Sequence, residues 1–578
     1  MQRHALRALA PVVAVGLAVG AAACGGGSSN KSGTSGNGNV TQGKKGGTLQ
    51  VQAAGDFEHV DPGQAYYQFD YMMEFVTQRP LYNWKPNTNT VPDPDLAAGP
   101  PQVSNGGKTV TVKIKKGVKF SPPVNREVTS KDVQYAIERA ATPNVANGYV
   151  GVYFGDVVGW KDFPKKTKHV AGITTPDNQT IVFKLARPVA GTLAQALSLP
   201  ASAPVPPEYA KKYDAKNPST YAQHMVFTGP YEMTTYQPGK KAVLKRNPNW
   251  DPKTDWRPAY LDQIIFSMGN DATVASRQIL GGQNQVSGDF GAPAPIVKQA
   301  STSKKDQITF TPSSGNRYVA LNTTIKPLDN INVRKAIIAA TDRTALRLTR
   351  GGPSVGDIAT HYIPPGMPGF EEAGGMAGSG LDFLKNPNGD LALAQSYMKK
   401  GGFPSGKYTG SQKLLMVGDN AEPGSKTAQV MQQQLQKLGF KLNFRQVPHD
   451  TMYSKFCNVP KSKVAICPNV GWLKDFEDAQ TMMDPTFNGT AIVPVNNSNW
   501  PQLNDPKVNA AMKKAELVTD ANARAKAWGE IDKMVTALAP AVPWLWDKQA
   551  NIRSAAVNGV INQFNASWDL AYTSLKNP

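Results

Sequence analysis

The sequence predicts an α/β protein, and three local patterns are the basis of this prediction. Residues 109–115 alternate between apolar and polar side chains, which is the two-residue period of a half-buried strand. Thr129, followed by Asp132 three positions later, has the spacing of a capping box at the start of a helix. A helical stripe ends at Gly439 and an alternating segment follows at residues 440–444, which indicates a helix, a turn and a strand in succession.

The length of the chain predicts more than one folding unit. A chain of more than 500 residues is too long to fold around a single hydrophobic core, so two or three subdomains are expected. Few segments resemble a second linker, which favours lobes that are interleaved along the chain. The 45 prolines and 52 glycines indicate long irregular connections between the helices and strands.

The N-terminus predicts export. In residues 1–23, Arg3 and Arg7 precede an apolar run that ends in three alanines, as in a signal peptide, and the run is too short to span a bilayer permanently. The alanines before Cys24 resemble the bacterial lipobox, which implies that Cys24 becomes the acylated N-terminus of the mature protein. Two acyl chains suffice for a stable membrane anchor. The alternative is an ordinary signal in which Cys24 is incidental.

A Gly/Ser/Asn-rich segment, residues 24–45, follows the cysteine and predicts a flexible tether. Roughly 20 residues at about 5–6 Å × √n hold a domain a few nanometres from the membrane. We therefore expect an exported protein anchored to the outer face of the cytoplasmic membrane.

The net charge of +20 does not indicate a nucleic-acid partner. Five cations precede Asp56, the first acidic residue, so the remainder carries about +15, dispersed in ones and twos. Export separates the protein from nucleic acid, and an anionic membrane or cell wall is the more natural neighbour.

The other two cysteines, Cys457 and Cys467, are ten positions apart, and in an exported protein they are predicted to form a disulfide. The chain-entropy model gives such a loop a stabilisation on the order of 3 kcal/mol. The six histidines are far apart and show no helical pairing, so neither a metal site nor any other cofactor is expected.

Two short motifs suggest enzymes but lack the required context. Residues 352–356 match GxSxG, yet a helical pattern precedes Ser354 where a nucleophile elbow needs a strand. Residues 401–407 match GxxxxGK, but Tyr408 stands where a Mg²⁺-binding Ser or Thr is needed.

Several longer blocks carry a family resemblance. In chain order they are GGTLQVQ, VDP, the segment PDLAAGPPQ through KGVKF to the helix ending at residue 139, TGPY, KRNPNWD, NVRKAIIAATDRTAL and GWLKDFED. Together they resemble the oligopeptide/dipeptide/nickel-binding family of solute-binding proteins of ABC importers, over some 500 residues.

The resemblance implies an α/β, two-lobed, periplasmic-binding-protein-like fold with an inserted extra subdomain and a ligand cleft that closes between the lobes. The chain would cross between lobes near residues 309–322 and return near 544–551. The implied boundaries are 46–86, 224–315 and 546–578 for lobe 1, 87–223 for its inserted subdomain, and 316–545 for lobe 2.

Within GWLKDFED, the resemblance implies that Asp475 pairs with the α-ammonium of a bound peptide and that Trp472 and Phe476 lie beside the solute. The alternative is that Trp472 is a core residue and Asp475 caps the next turn. Peptide binders of the family often place an arginine for the peptide carboxylate just before this tryptophan or elsewhere in the cleft. Asn469 and Val470 occupy the preceding positions here, which disfavours strict dipeptide selectivity.

Four further candidate ligand residues lie at the two crossings, and each could equally be a packing residue. They are Tyr318, Asn322, Trp544 and Trp546.

The predicted function is an extracytoplasmic receptor, not an enzyme, that binds a peptide-like solute and delivers it to an ABC permease and ATPase complex. We expect it to act as a monomer. The alternatives are an oligosaccharide or other non-peptide solute, an exported serine hydrolase that uses Ser354, and an adhesin or signalling receptor without a transporter.

Overall fold

The computed structural model describes residues 43–282 and 284–578. The predicted signal peptide, Cys24 and residues 24–42 of the predicted tether lie outside the described residues. The α/β prediction is confirmed in detail at its three patterns. The capping box of Thr129 and Asp132 begins the helix Ser130–Ala140. Gly439, with φ +83°, separates the helix Gly424–Lys437 from the strand Lys441–Val447.

Lobe 1 contains a five-stranded mixed sheet. Two of its neighbouring pairs are parallel and two are antiparallel. The helix Ala272–Gly281 provides the crossover between the strands Gln263–Ser267 and Gln285–Ser287, which run parallel on either side of Thr48–Gln52. From one edge to the other, the strands are Gln285–Ser287, Thr48–Gln52, Gln263–Ser267, Lys241–Arg246 and Tyr231–Gln237.

The segment predicted as the inserted subdomain has a four-stranded antiparallel sheet of its own. The strands are, in spatial order, Gln102–Ser104, Thr109–Lys113, Thr180–Lys184 and Ile173–Asp177. The apolar face of the helix Ser130–Ala140 packs on this sheet, and Val133 and Ile137 are fully buried. The period-2 segment of the sequence is thus a strand with one buried face.

Lobe 2 is built on a six-stranded mixed sheet. Its strands are, in spatial order, Gly356–Asp357, Ala541–Ile552, Ile308–Leu321, Ile466–Leu473, Lys413–Asp419 and Lys441–Val447. The remaining strands form three antiparallel pairs. They are Tyr82–Asn83 with Asp93–Pro94, Val557–Asn558 with Ser574–Leu575, and Ile561–Asn562 with Ser567–Trp568.

The α-helices surround these sheets. Those of lobe 1 and its inserted subdomain are Gln68–Thr77, Ser130–Ala140, Val150–Tyr153, Ala190–Ala196, Pro207–Asp214, Ala272–Gly281 and Ala294–Ser303. Those of lobe 2 are Ile331–Ala340, Arg343–Arg350, Asp382–Lys385, Leu391–Lys400, Gly424–Lys437, His449–Thr451, Gln480–Phe487, Pro506–Ala515 and Ala521–Ala537.

Two long antiparallel strands, Ile308–Leu321 and Ala541–Ile552, connect the lobes. Ile308 and Ile552, at one end of the pair, pack in a core that includes helices of lobe 1, whereas the other end of the pair lies in the cores of lobe 2. The predicted lobe boundaries, at 315/316 and 545/546, fall inside these strands and stay a prediction.

A buried ion network joins lobe 1 to the start of the inserted subdomain. The Nε atom of Arg79 donates to Asp95 at 2.7 Å, and Nη2 of Arg257 lies 3.1 Å from the same carboxylate. Arg257 also pairs with Asp255 at 2.8 Å, and all four side chains are buried. Asp95 is the aspartate of the PDLA block, so the network gives that block a structural role.

A disulfide joins Cys457 to Cys467, with 6.3 Å between the Cα atoms. Cys457 ends the π-helix Met452–Cys457, and Cys467 lies on the strand Ile466–Leu473. The bond therefore attaches the loop that carries Tyr453 to a central strand of lobe 2.

Replacing both cysteines by alanine is expected to lower the free energy of unfolding by about 3 kcal/mol, because the unfolded chain loses a covalent loop. Chemical denaturation of the oxidised protein and of the variant measures the difference. The reduced wild-type protein is the matched control and should unfold like the variant. Equal midpoints for oxidised protein and variant would contradict the prediction.

Candidate functional site

A cavity of about 1400 Å³, counted with its open mouth, lies between the lobes. The crossing strands contribute Arg317 and Asp547 to its wall, so the cavity lies where the chain passes between lobes. Lobe 1 supplies lining residues in 54–71, 289–291 and 564–565, and lobe 2 supplies lining residues in 419–424, 449–458, 469–475 and 496–500.

Asp475 lines this cavity as a buried carboxyl group. It lies two positions after the end of the strand Ile466–Leu473, and only 3% of its surface is exposed. Its Oδ2 atom accepts hydrogen bonds from the hydroxyls of Tyr66, at 2.7 Å, and Tyr153. Burial raises the pKa of Asp475 to about 7, although the two tyrosine hydrogen bonds oppose the shift. No ion pair of the described residues includes Asp475, so the site can accept a cation from a solute.

Aromatic rings form the wall next to Asp475. The Trp472 ring contacts Tyr66 edge-on, with 5.3 Å between centroids, and lies 5.8 Å from Trp500. The indole Nε1 atom of Trp472 donates to the Thr481 carbonyl at 2.7 Å. Since these contacts fix the ring, Trp472 offers a rigid apolar surface to a solute.

Two arginines that share one carboxylate provide positive charge. Nε of Arg317 donates to Oδ2 of Asp547 at 2.6 Å, and Nη2 of Arg350 lies 3.8 Å from the same oxygen. Burial, together with repulsion from Arg317, lowers the pKa of Arg350 to about 10. Both guanidinium groups share the Asp547 carboxylate, and Asp419 also attracts Arg350, so the two arginines offer N–H donors to an anionic group of a solute.

The sequence did not identify these arginines because they lie far from GWLKDFED along the chain. The strand register pairs Arg317 with Gly471, and the Arg317 side chain fills the space that a Cβ atom at Gly471 would take. An arginine thus reaches the cavity beside Trp472 from the crossing strand, and the glycine before Trp472 was the available signal.

A second group of ionisable side chains lines the cavity from both lobes. Nδ1 of His449 lies 2.5 Å from Oδ2 of Asp419; burial lowers the pKa of His449, but the Asp419 carboxylate outweighs this and the pKa is raised. Burial raises the pKa of Glu58 to about 7 and that of Asp289 to about 6. Asn458 of lobe 2 donates to Glu58 of lobe 1 at 2.8 Å, so this polar patch bridges the cleft.

Five of the predicted ligand residues lie outside the lining of this cavity: Phe476, Tyr318, Asn322, Trp544 and Trp546. Phe476 is fully buried against Tyr153, with 5.2 Å between ring centroids. The side chain of Asn322 donates to the Val464 carbonyl at 3.0 Å and forms a turn. The structure thus places Phe476 and Asn322 in packing roles.

The other three pack in the cores of lobe 2. Asp547 and Gln549 of the strand Ala541–Ile552 line the cavity, whereas Trp546 packs in one core and Trp544, at an irregularity in the pairing with Ile308–Leu321, packs in another. Trp546 packs against His361, with 5.0 Å between ring centroids. Tyr318 is likewise a core residue, 5.6 Å from Trp500.

The enzyme-like motifs are loops in the structure. Ser354 is an exposed residue of the turn Gly352–Val355, which follows the helix Arg343–Arg350 instead of a strand. Residues 401–407 follow the helix Leu391–Lys400. Within residues 43–282 and 284–578, no group of three or more His, Cys, Asp or Glu side chains could hold a metal ion. No helix in the same ranges is long and apolar enough to cross a membrane.

Comparison with known proteins identifies similar solute-binding proteins. A family model described as "Bacterial extracellular solute-binding proteins, family 5 Middle" matches residues 91–493. The chain is 24% identical over 451 residues to Di/tripeptide-binding protein 1 of Pseudomonas aeruginosa strain UCBPP-PA14, covering 76% of this chain and 78% of that protein. It is 23% identical to the glutathione-binding protein GsiB of Salmonella choleraesuis, covering 79% and 81% of the two chains.

A solved structure is similar over nearly its whole length. Clavulanic acid biosynthesis oligopeptide binding protein 2 superimposes with a TM-score of 0.76 at 26% identity, and the match covers 93% of this chain and 96% of that one. The two-lobed fold predicted from the sequence is therefore confirmed.

Proposed function

Since the chain belongs to the family 5 bacterial extracellular solute-binding proteins, we propose that it captures a peptide-like solute in the cleft and delivers it to an ABC permease and ATPase complex. The family consists of binding proteins and not of enzymes, so the alternative of a hydrolase that uses Ser354 is wrong. The di/tripeptide-binding, glutathione-binding and oligopeptide-binding proteins to which it is similar support the peptide-like solute.

The observation that carries this proposal is the buried carboxyl group of Asp475, which faces the cavity and has no cationic partner among the described residues. A peptide ammonium would bring the missing charge. The guanidinium groups of Arg317 and Arg350, which line the same cavity, would donate hydrogen bonds to the carboxylate of the solute. Trp472 would contact the apolar part between these charges.

Hydrogen bonds across the cleft support capture by closure. The hydroxyl of Tyr66 donates to Asp475, Asn458 donates to Glu58, and Nδ2 of Asn496 donates to the Ala146 carbonyl at 2.9 Å. Each bond joins lobe 2 to lobe 1 or its inserted subdomain. These bonds would break on opening and let the solute enter.

We further propose that the mature protein is anchored through acylated Cys24, that residues 1–23 are removed, and that the tethered domain works as a monomer with the lobe boundaries given above. The lipobox resemblance and the Gly/Ser/Asn-rich segment support this arrangement. Metabolic labelling with palmitate should mark the wild-type protein and leave Cys24→Ser unlabelled; a labelled Cys24→Ser protein would contradict the anchor.

Intrinsic fluorescence tests the proposed solute class, because Trp472 and Trp500 line the cavity. Titration with a mixed oligopeptide pool should give a saturable change. Oligosaccharides and N-acetylated, C-amidated peptides serve as matched controls and should give none. A fluorescence change with oligosaccharides alone would favour the alternative of a neutral solute. No fluorescence change with any of these solutes would contradict the proposal.

The affinity for free-amine peptides should fall as the solution becomes more acidic. Only ionised Asp475 pairs with an ammonium, and its pKa of about 7 in the free protein means that it is increasingly protonated below that pH. Tyr66 and Tyr153, which face it, have pKa values raised well above 10 by burial and stay neutral. The dissociation constant should rise about tenfold per pH unit below 7.

Calorimetric titration from pH 8 to pH 5 measures this dependence. Asp475→Asn is the control, since an amide has the same shape and does not titrate, and its dissociation constant should vary less with pH. Parallel pH profiles for the two proteins would show that another group controls the dependence.

A further inference from the structure

A second cavity lies within lobe 2 and shares no lining residue with the cleft. It occupies about 800 Å³, counted with its open mouth. Arg343, from the start of the helix Arg343–Arg350, and Thr360 form part of its wall. The glycine-rich loop at residues 374–380 and the segment at 381–387 form much of the rest. The function proposed for the cleft uses none of these residues.

Arg343 is a buried cation without an anionic partner. Only 1% of its surface is exposed, and no ion pair among residues 43–282 and 284–578 includes it. Nη1 donates to the Ala359 carbonyl at 2.7 Å and Nη2 donates to the Leu384 carbonyl, whereas Nε has no acceptor. Burial lowers the pKa of Arg343 to about 10, so the group is still charged at neutral pH. An uncompensated buried charge is costly, and a bound anion would remove that cost.

Two hydroxyl groups on the same cavity also lack partners within the described part of the chain. Oγ1 of Thr360 and Oγ of Ser379 are buried without a hydrogen bond. Gly378, with φ +75°, precedes Ser379, and a Cβ atom there would come within 2.9 Å of the Thr360 hydroxyl. A side chain at Gly378 would therefore collide with Thr360, so the glycine leaves this hydroxyl undisturbed. Lys385, which is exposed, adds a second positive charge to the wall.

We propose that this second cavity binds a small oxyanion, the carboxylate or phosphate group of a solute distinct from the one in the cleft. The guanidinium of Arg343 donates through Nε and supplies the charge, and the hydroxyls of Thr360 and Ser379 donate to the remaining oxygens. A water molecule could accept from one of these donors, but only an anion also compensates the charge. The apolar residues Ile358, Leu381 and Leu384 also line this cavity and would contact a short apolar part of the solute.

The test uses the full chain and calorimetric titration with sodium phosphate and, separately, with sodium acetate, each against sodium chloride at equal ionic strength. We expect saturable binding of phosphate or acetate that chloride does not reproduce, and the stronger of the two identifies the class of oxyanion. The double variant Thr360→Val/Ser379→Ala should weaken this binding at least tenfold, and Arg343→Gln should abolish it.

The hydroxyl variant decides the outcome even if Arg343→Gln fails to fold, because it changes only two half-buried hydroxyl groups. Arg350→Gln, which removes a guanidinium group from the cleft, is the control for anion binding there and should bind the oxyanion in the second cavity as the wild type does. Equal anion affinity in the wild type and the hydroxyl double variant, or no oxyanion binding beyond that of chloride, would overturn the proposal. Neither result would bear on peptide capture in the cleft.

Discussion

Replacing Asp475 by alanine is expected to weaken the binding of peptides with a free N-terminus by roughly 10- to 100-fold, since a charge-assisted hydrogen bond contributes about 1.5–3 kcal/mol. The carboxyl group is buried, and Tyr66 and Tyr153 hold Oδ2 in place. In the closed cleft these hydrogen bonds hold the carboxylate in one position, so it loses little further freedom when it pairs with an ammonium. Calorimetric titration of the wild type and the variant with one peptide gives the ratio.

The matched control changes the peptide instead of the protein. N-acetylation removes the ammonium charge, so the acetylated peptide should bind weakly to the wild type, and Asp475→Ala should have little further effect on it. A double-mutant cycle of this kind isolates the pair. If Asp475→Ala weakened the free and the acetylated peptide equally, Asp475 would act through the shape of the cleft and not through the ammonium.

Replacing Asp95 by alanine is expected to lower the free energy of unfolding by about 3–5 kcal/mol, because the change leaves the buried guanidinium groups of Arg79 and Arg257 with too little negative charge. Asp255 alone would then face both arginines. Denaturant unfolding followed by circular dichroism measures the loss. The PDLA block would then be explained by folding and not by solute contact.

Asp93, two positions earlier, provides the control. It pairs with Lys85 at 3.0 Å near the surface, where both side chains are partly exposed. Exposed pairs of this kind contribute about 0–1 kcal/mol, so Asp93→Ala should change the stability little. Equal losses for Asp93→Ala and Asp95→Ala would show that burial does not distinguish the two pairs.

Local patterns were sufficient for much of the fold. The alternation at residues 109–115, the capping box at Thr129 and the turn at Gly439 are each determined by neighbours within a few positions, and all three appear in the structure. The two-lobed arrangement depends on strands far apart in the chain, and the ordered family blocks predicted it where periodicity could not.

Only some of the residues that line the cleft could be predicted from the sequence. Trp472 and Asp475 belong to one block and both line the cavity. Arg317 and Arg350 meet them only through the pairing of distant strands and helices, which no local pattern specifies. Trp544 and Trp546, for which the sequence left both a ligand role and a packing role open, are buried in the cores of lobe 2, and Asp547 and Gln549 of the same strand line the cavity.

A crystal structure of the protein with a bound tripeptide tests the central claim most directly. The account predicts the peptide ammonium at about 2.7–3.0 Å from a carboxylate oxygen of Asp475, with the peptide carboxylate at the guanidinium groups of Arg317 and Arg350. A peptide that bound in the cleft with its ammonium away from Asp475, or with its termini reversed, would contradict it.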